Sequence, residues 1–85
     1  MRRFKWINWN LDKIDAHGLS QQDVEGAFDE VLDSEQRRDG SFDTIARTPY
    51  GKVIRIIWRF DRYADETPDV FGNVPEPEMF VVTAY

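Results

Sequence analysis

The chain has 85 residues, 41% hydrophobic and 14% aromatic, with 11 basic and 16 acidic side chains for a net charge of -5. This is the length of one domain with enough apolar mass for a small core, which excludes a disordered charged tail. The absence of cysteine and the single histidine exclude a disulfide scaffold, a thiolate zinc site, a cysteine nucleophile and a multi-histidine centre, so no metal or cofactor is expected.

In chain order, Met1-Arg2-Arg3-Phe4 lacks the apolar core of a signal peptide, and no apolar run approaches the roughly 18 residues of a membrane span. A cytoplasmic protein with no membrane partner is expected. Phe4 to Ile7 can form a short strand. Trp9 to Gly18 reads as a short helix, with Asn10 as its cap, Leu11 and Ile14 on its buried face and Gly18 as a left-handed stop. Ser20 then opens a second helix as N-cap, with Asp23 completing a capping box and Leu19 and Val24 placed as a hydrophobic staple. Val24, Ala27, Phe28, Val31 and Leu32 extend that helix as one apolar stripe, leaving Glu25, Asp29 and Glu30 to water. Ser34 to Gly40 is polar and reads as a loop.

Phe42 to Thr48 and Lys52 to Phe60 read as a hairpin turning at Thr48-Pro49-Tyr50-Gly51, with Pro49 and Gly51 in turn positions that suit them. Pairing Thr48 with Lys52 sets the faces by the two-residue period. Phe42, Thr44, Ala46, Ile54, Ile56, Trp58 and Phe60 share the core face. Asp43, Ile45, Arg47, Val53, Arg55, Ile57 and Arg59 share the other. The acidic stretch 61–78, with Pro68, Pro75 and Pro77, is an irregular excursion that Val70 and Phe71 can pin to the body. Met79 to Tyr85 is a β-prone run expected to pair beside the second hairpin strand. The predicted fold is α+β: two N-terminal helices packed on one face of a small antiparallel sheet of three to four strands, a single domain over 1–85.

Trp9-Asn10, Lys13, His17-Gly18-Leu19-Ser20, Val24-Glu25 and Ala27-Phe28, together with the closing Val81-Val82-Thr83-Ala84-Tyr85, form a pattern that resembles the BrnT-like toxins of the wider RelE-like superfamily. The likeness spans residues 9–32 and 80–85, and the Gly51-Lys52 turn agrees in position between them. It implies a helical opening, a second helix and a curved antiparallel sheet. It also implies cleavage of RNA, free or on the ribosome, and neutralisation by a cognate antitoxin protein. Where that family carries arginine after Ser/Thr-Ala in the last strand, this chain has Tyr85.

Metal-free RNA cleavage needs a group to take the 2′-hydroxyl proton, a group to protonate the leaving 5′-oxygen, and cations for the charge on phosphorus oxygens. Arginine's planar fork suits the last task. Arg55, Arg59 and Tyr85 are therefore the candidate catalytic residues, with Arg47, Lys52 and Arg62 as candidate substrate-binding residues. The bland alternative is a solvated sheet face whose arginines pair with Asp43 and Asp61 and lay their stems over Ile45 and Ile57. His17 has the right chemistry for a general base but sits where an imidazole caps helix carbonyls, and the capping role is expected. Tyr85 either donates a proton or covers the sheet edge. Trp58 belongs to the core, while Trp6 and Trp9 anchor the N-terminal segment.

Two functions follow. One is a toxin-type RNA endonuclease, whose arginines should converge on one point. The other is a non-catalytic protein-binding module of the same fold, whose arginines should be ion-paired or splayed apart. The net acidity departs from the basic surplus usual in nucleic-acid binders, although the basic residues are segregated in Arg2 to Lys5 and Arg47 to Arg62. A free terminal strand would also allow a dimer through a sheet edge.

Overall fold

The structure, a computed structural model, describes residues 3–61 and 78–85. Among the described residues, two helices and five strands follow in the order β1 (Phe4–Lys5), α1 (Asn8–Asp15), α2 (Gln21–Ala27), β2 (Val31–Gln36), β3 (Phe42–Arg47), β4 (Val53–Asp61) and β5 (Glu78–Ala84). The strands form one sheet in the order β1-β5-β4-β3-β2. β2, β3, β4 and β5 pair antiparallel, whereas β1 runs parallel to β5 through Phe4↔Met79 and Lys5↔Phe80. The architecture is α+β as expected, but the sheet is mixed and has five strands instead of three or four.

The helix termini show which local signals decided the fold. Ser20 Oγ accepts the Asp23 N–H at 3.2 Å while Asp23 returns a carboxylate to the Ser20 N–H at 2.9 Å, the expected reciprocal cap. Gly18, at φ +73°, ends α1. The Leu19 N–H reaches back to the Ile14 carbonyl and the Gly18 N–H to that of Asp15, a Schellman arrangement whose flanking apolar pair, Ile14 and Leu19, is buried in the core. Asn10 does not precede the helix. It lies inside the first turn, fully buried, where its Oδ1 accepts the Ile7 N–H at 2.7 Å and its Nδ2 donates to the Lys5 carbonyl at 2.9 Å. One amide thus ties the end of β1 to the start of α1.

The second helix is shorter than its apolar stripe. After Ala27 the N–H groups of Phe28, Asp29 and Glu30 donate three residues back, and the Glu30 carbonyl then accepts the Arg47 N–H at 3.0 Å. Pairing with β3 from that point satisfies the backbone as well as a helix would, so Val31 and Leu32 join β2 and stand half-exposed. Ser34 to Gln36 also belong to this strand, and only Arg37 to Gly40 turn. The β3–β4 hairpin has the expected register, with Phe42 opposite Trp58 and Arg47 opposite Val53. Its turn closes with Thr48 bonded to Lys52 and with Gly51 at φ +86°.

Ile14, Leu19, Val24, Ala27 and Phe28 from the helical half meet Ala46, Ile54, Ile56, Trp58, Met79, Val81 and Ala84 from the sheet in one core. Trp58 is buried as expected. Its indole Nε1 donates 2.8 Å to Thr44 Oγ1, which in turn lies 2.9 Å from Ser34 Oγ. Phe60 departs from expectation at 41% exposure. It lies opposite Met79, edge-on to Trp58 at 5.0 Å and to Phe42 at 5.8 Å. Among the described residues, no helix is long and apolar enough to cross a membrane.

Candidate functional site

The face of the sheet opposite the core carries the chemistry. Arg55 and Tyr85 exchange both backbone hydrogen bonds, at 2.8 and 2.9 Å, which places their side chains next to each other on that face. Arg59 lies four residues further along β4, roughly 13 Å away by strand rise. It pairs with Phe80, past the bulge between Ile57 and Trp58 in the β4–β5 ladder, and its guanidinium lies 4.8 Å over the Phe80 ring. The three candidate catalytic residues therefore share a face, but Arg55 and Arg59 do not converge on one phosphate.

Each arginine has an acidic neighbour. Arg55 Nε lies 3.2 Å from Asp43 Oδ1 across β3 and β4. The contact is an ion pair without hydrogen-bond alignment, since the same carboxylate oxygen is buried and lacks a geometrically sound donor. Arg59 Nη1 is 3.9 Å from Asp61 Oδ1, a loose contact, because Asp61 gives its other oxygen to Lys5 Nζ at 2.6 Å. The hydrogen bond from Lys5, followed by its charge and that of Arg59, holds the Asp61 carboxyl below the ordinary carboxylate range. These are the pairings with Asp43 and Asp61 that the solvated-face alternative anticipates. The arginines are half-exposed and the acids less so. A phosphate can draw Arg59 from its loose contact at little cost, but drawing Arg55 away leaves the buried Asp43 oxygen without its cation.

The candidate substrate-binding residues are dispersed. Arg47 donates to Glu30 Oε1 at 2.9 Å. It turns toward an open pocket of about 530 Å³ between the end of α2 and the hairpin turn, where Asp29 and Glu30 are also found. Those acids would repel a phosphate, so Arg47 stands apart from Arg55. Lys52 is exposed beyond the hairpin turn. Arg62, Val70, Phe71 and the body of the acidic stretch lie outside the described residues. Among the described residues, no group of three or more His, Cys, Asp or Glu side chains could hold a metal ion.

What the sequence reading missed is the role of one side of α1. Trp9 and Lys13, four residues apart on α1, lie one above the other, and His17 follows in the turn just past the helix end. The Trp9 ring stacks on Phe80 at 5.9 Å and 15°, and Lys13 Nζ lies 5.2 Å from the Trp9 centroid. The chain of contacts runs from Lys13 through Trp9 and Phe80 to Arg59. His17 was expected to cap α1, yet backbone N–H groups already take the final carbonyls. Its ring instead lies 5.8 Å from that of Tyr85. The i, i+4, i+8 spacing of Trp9, Lys13 and His17 was visible in the sequence, but the strand they face was not.

With this geometry in hand, comparison with protein-family models, with curated proteins and with solved structures found no match.

Proposed function

We propose that this chain is a toxin-type protein of the BrnT-like kind that cleaves RNA on the arginine face of its sheet, and that a cognate antitoxin protein restrains it. The observation that supports this reading best is the pairing of Arg55 with Tyr85 while the His17 ring adjoins Tyr85. One phosphate held by Arg55 would have a titratable imidazole and a phenol within the same corner. His17 takes the proton of the 2′-hydroxyl as the 2′-oxygen attacks phosphorus. Tyr85 gives its proton to the departing 5′-oxygen, and Arg55 stabilises the charge on the non-bridging oxygens. The products are a 2′,3′-cyclic phosphate and a 5′-hydroxyl. Arg59, Phe80, Trp9 and Lys13 would hold the neighbouring nucleotide by phosphate contact and stacking.

A second reading, the non-catalytic protein-binding module, is favoured by the ion pairing of Arg47, Arg55 and Arg59 and by the net charge of -5. One experiment separates the two. Purified protein is incubated with labelled mixed RNA in EDTA, and separately with translating ribosomes in magnesium buffer, beside Arg55→Ala, Arg59→Ala and Tyr85→Phe. The endonuclease reading requires cyclic-phosphate ends that fall at least about a hundredfold in folded Arg55→Ala and Tyr85→Phe, the low end of what lost acid–base or charge-stabilising groups cost. Intact RNA on both substrates leaves the binding module.

A further inference from the structure

We infer that β2 is a docking edge for an extended, basic segment of a partner protein, which would add to the sheet as a sixth strand. The inference is independent of whether the arginine face is catalytic. Among the described residues, β2 is the outermost strand on its side of the sheet, and every residue from Asp29 to Gly40 is exposed. The Arg37 N–H donates to the Ser41 carbonyl at 2.7 Å, and the register runs through Glu35↔Asp43 and Asp33↔Ile45. Antiparallel ladders alternate, so residues 33, 35 and 37 point their backbone groups at β3. Ser34 and Gln36 turn theirs outward. The Ser34 N–H is held there by Asp33 Oδ1 at 2.9 Å, a local side-chain bond that an added strand's carbonyl would replace, while the backbone groups of Gln36 face the same way.

Charge selects the occupant. Asp33 and Glu35 stand on the same face of β2 as Asp43, their neighbour across the ladder. A second copy of this chain pairing antiparallel through β2 with Ser34 opposite Ser34 would set Asp33 against Glu35 twice. With Ser34 opposite Gln36 it would set Glu35 against Glu35 while Asp33 faced Arg37, so each register opposes like charges somewhere across the ladder. The bulge between Val31 and Asp33 further blunts self-pairing. The same acids favour a strand carrying lysine or arginine at alternate positions, with small or β-branched residues between them to lie beside Ser34 and the half-exposed Val31 and Leu32.

The test uses the whole chain and a capped seven-residue peptide alternating lysine with threonine or valine, against a control with glutamate in place of lysine. Hydrogen exchange at the Ser34 and Gln36 amides is read by NMR. At peptide ten times above its Kd both outward-facing amides should exchange about tenfold more slowly than in the free chain, because only the free fraction exchanges. Gln36→Pro should abolish this slowing without unfolding the protein, since its N–H faces away from β3. Glu35→Lys should shift the preference toward the glutamate peptide. Equal protection by both peptides in the parent chain, protection confined to other strands, or a β2-mediated homodimer in sedimentation would each overturn the inference.

Discussion

Gly26 gives a test in which two ordinary effects have opposite signs. It sits in the last turn of α2, where replacing glycine by alanine in an open helix stabilises by about 1 kcal/mol. Here a Cβ would meet Pro49 Cγ at 2.6 Å and Pro49 Cδ at 3.0 Å, well inside the roughly 3.5–4.0 Å of a favourable carbon contact. The Pro49 ring belongs to the hairpin turn and cannot swing aside as a long side chain would. Overpacking of this kind costs about 1–3 kcal/mol. Gly26→Ala should therefore destabilise by about 1 kcal/mol net, lowering Tm by about 4–8 °C for a domain of this size. In a Pro49→Ala background both crowding atoms are gone, and the helical gain of about 0.5–1 kcal/mol should reappear. The coupling in the four-protein cycle is then about 2 kcal/mol, read by urea and thermal unfolding. A higher Tm for Gly26→Ala in the Pro49 background would refute the close approach of helix and turn.

Thr44→Val keeps the shape of a buried side chain but leaves the Trp58 N–H without its 2.8 Å acceptor; the expected loss is about 1–3 kcal/mol in urea unfolding. The same substitution should cost clearly less in a Trp58→Phe background, where no donor remains to be stranded. Asp61→Asn should lower stability at neutral pH, because the native carboxyl is held below its ordinary value of 3.8 by Lys5 and Arg59. A lowered native pKa contributes stability above the unfolded value and loses it as pH falls through the native value. The gap in urea midpoint between parent and variant should therefore close toward pH 2, and an unchanged gap there would exclude this linkage.

The hairpin, the end of α1, the start of α2 and the last strand were legible because each rests on a local signal, whereas the start of α1 was misplaced because Asn10 caps from inside the first turn. Pro49 and Gly51 define a turn, Ser20 and Asp23 define a cap, and strict alternation sorts Arg55 from Ile56. The error at Val31 and Leu32 arose where two periods overlap. Their spacing from Val24 fits a helix, but the Glu30 carbonyl finds Arg47 instead, and that long-range bond has no sequence signature. β1 is only two residues long and takes its place by pairing with β5, so its parallel course could not be read locally. The arginine face itself was visible, including the pairing with Asp43 and Asp61. Its connection to α1 was not, because stacking of Trp9 on Phe80 and of His17 near Tyr85 depends on how the helix lies along the sheet edge.

The acidic partners of the arginines make a quantitative distinction between the two functional readings. For single-stranded nucleic acid, log K falls with log salt by about 0.7 per phosphate neutralised, so two freely available arginines would give a slope near -1.4. Arg55 and Arg59 begin beside Asp43 and Asp61, and those carboxylates remain nearby when a phosphate arrives. The parent chain should therefore bind single-stranded RNA with a shallower slope than two free arginines would produce. Asp43→Asn removes one competing charge while keeping the side chain's shape. It should tighten binding several-fold at low salt and steepen the slope by up to about 0.7, measured by titration of labelled oligonucleotide between 25 and 200 mM salt (order-of-magnitude bounds set by the screening length). A protein-binding module predicts otherwise, because its arginines serve Asp43 and Asp61 as structural partners. Asp43→Asn would then weaken folding, and neither chain would bind RNA even at the lowest salt.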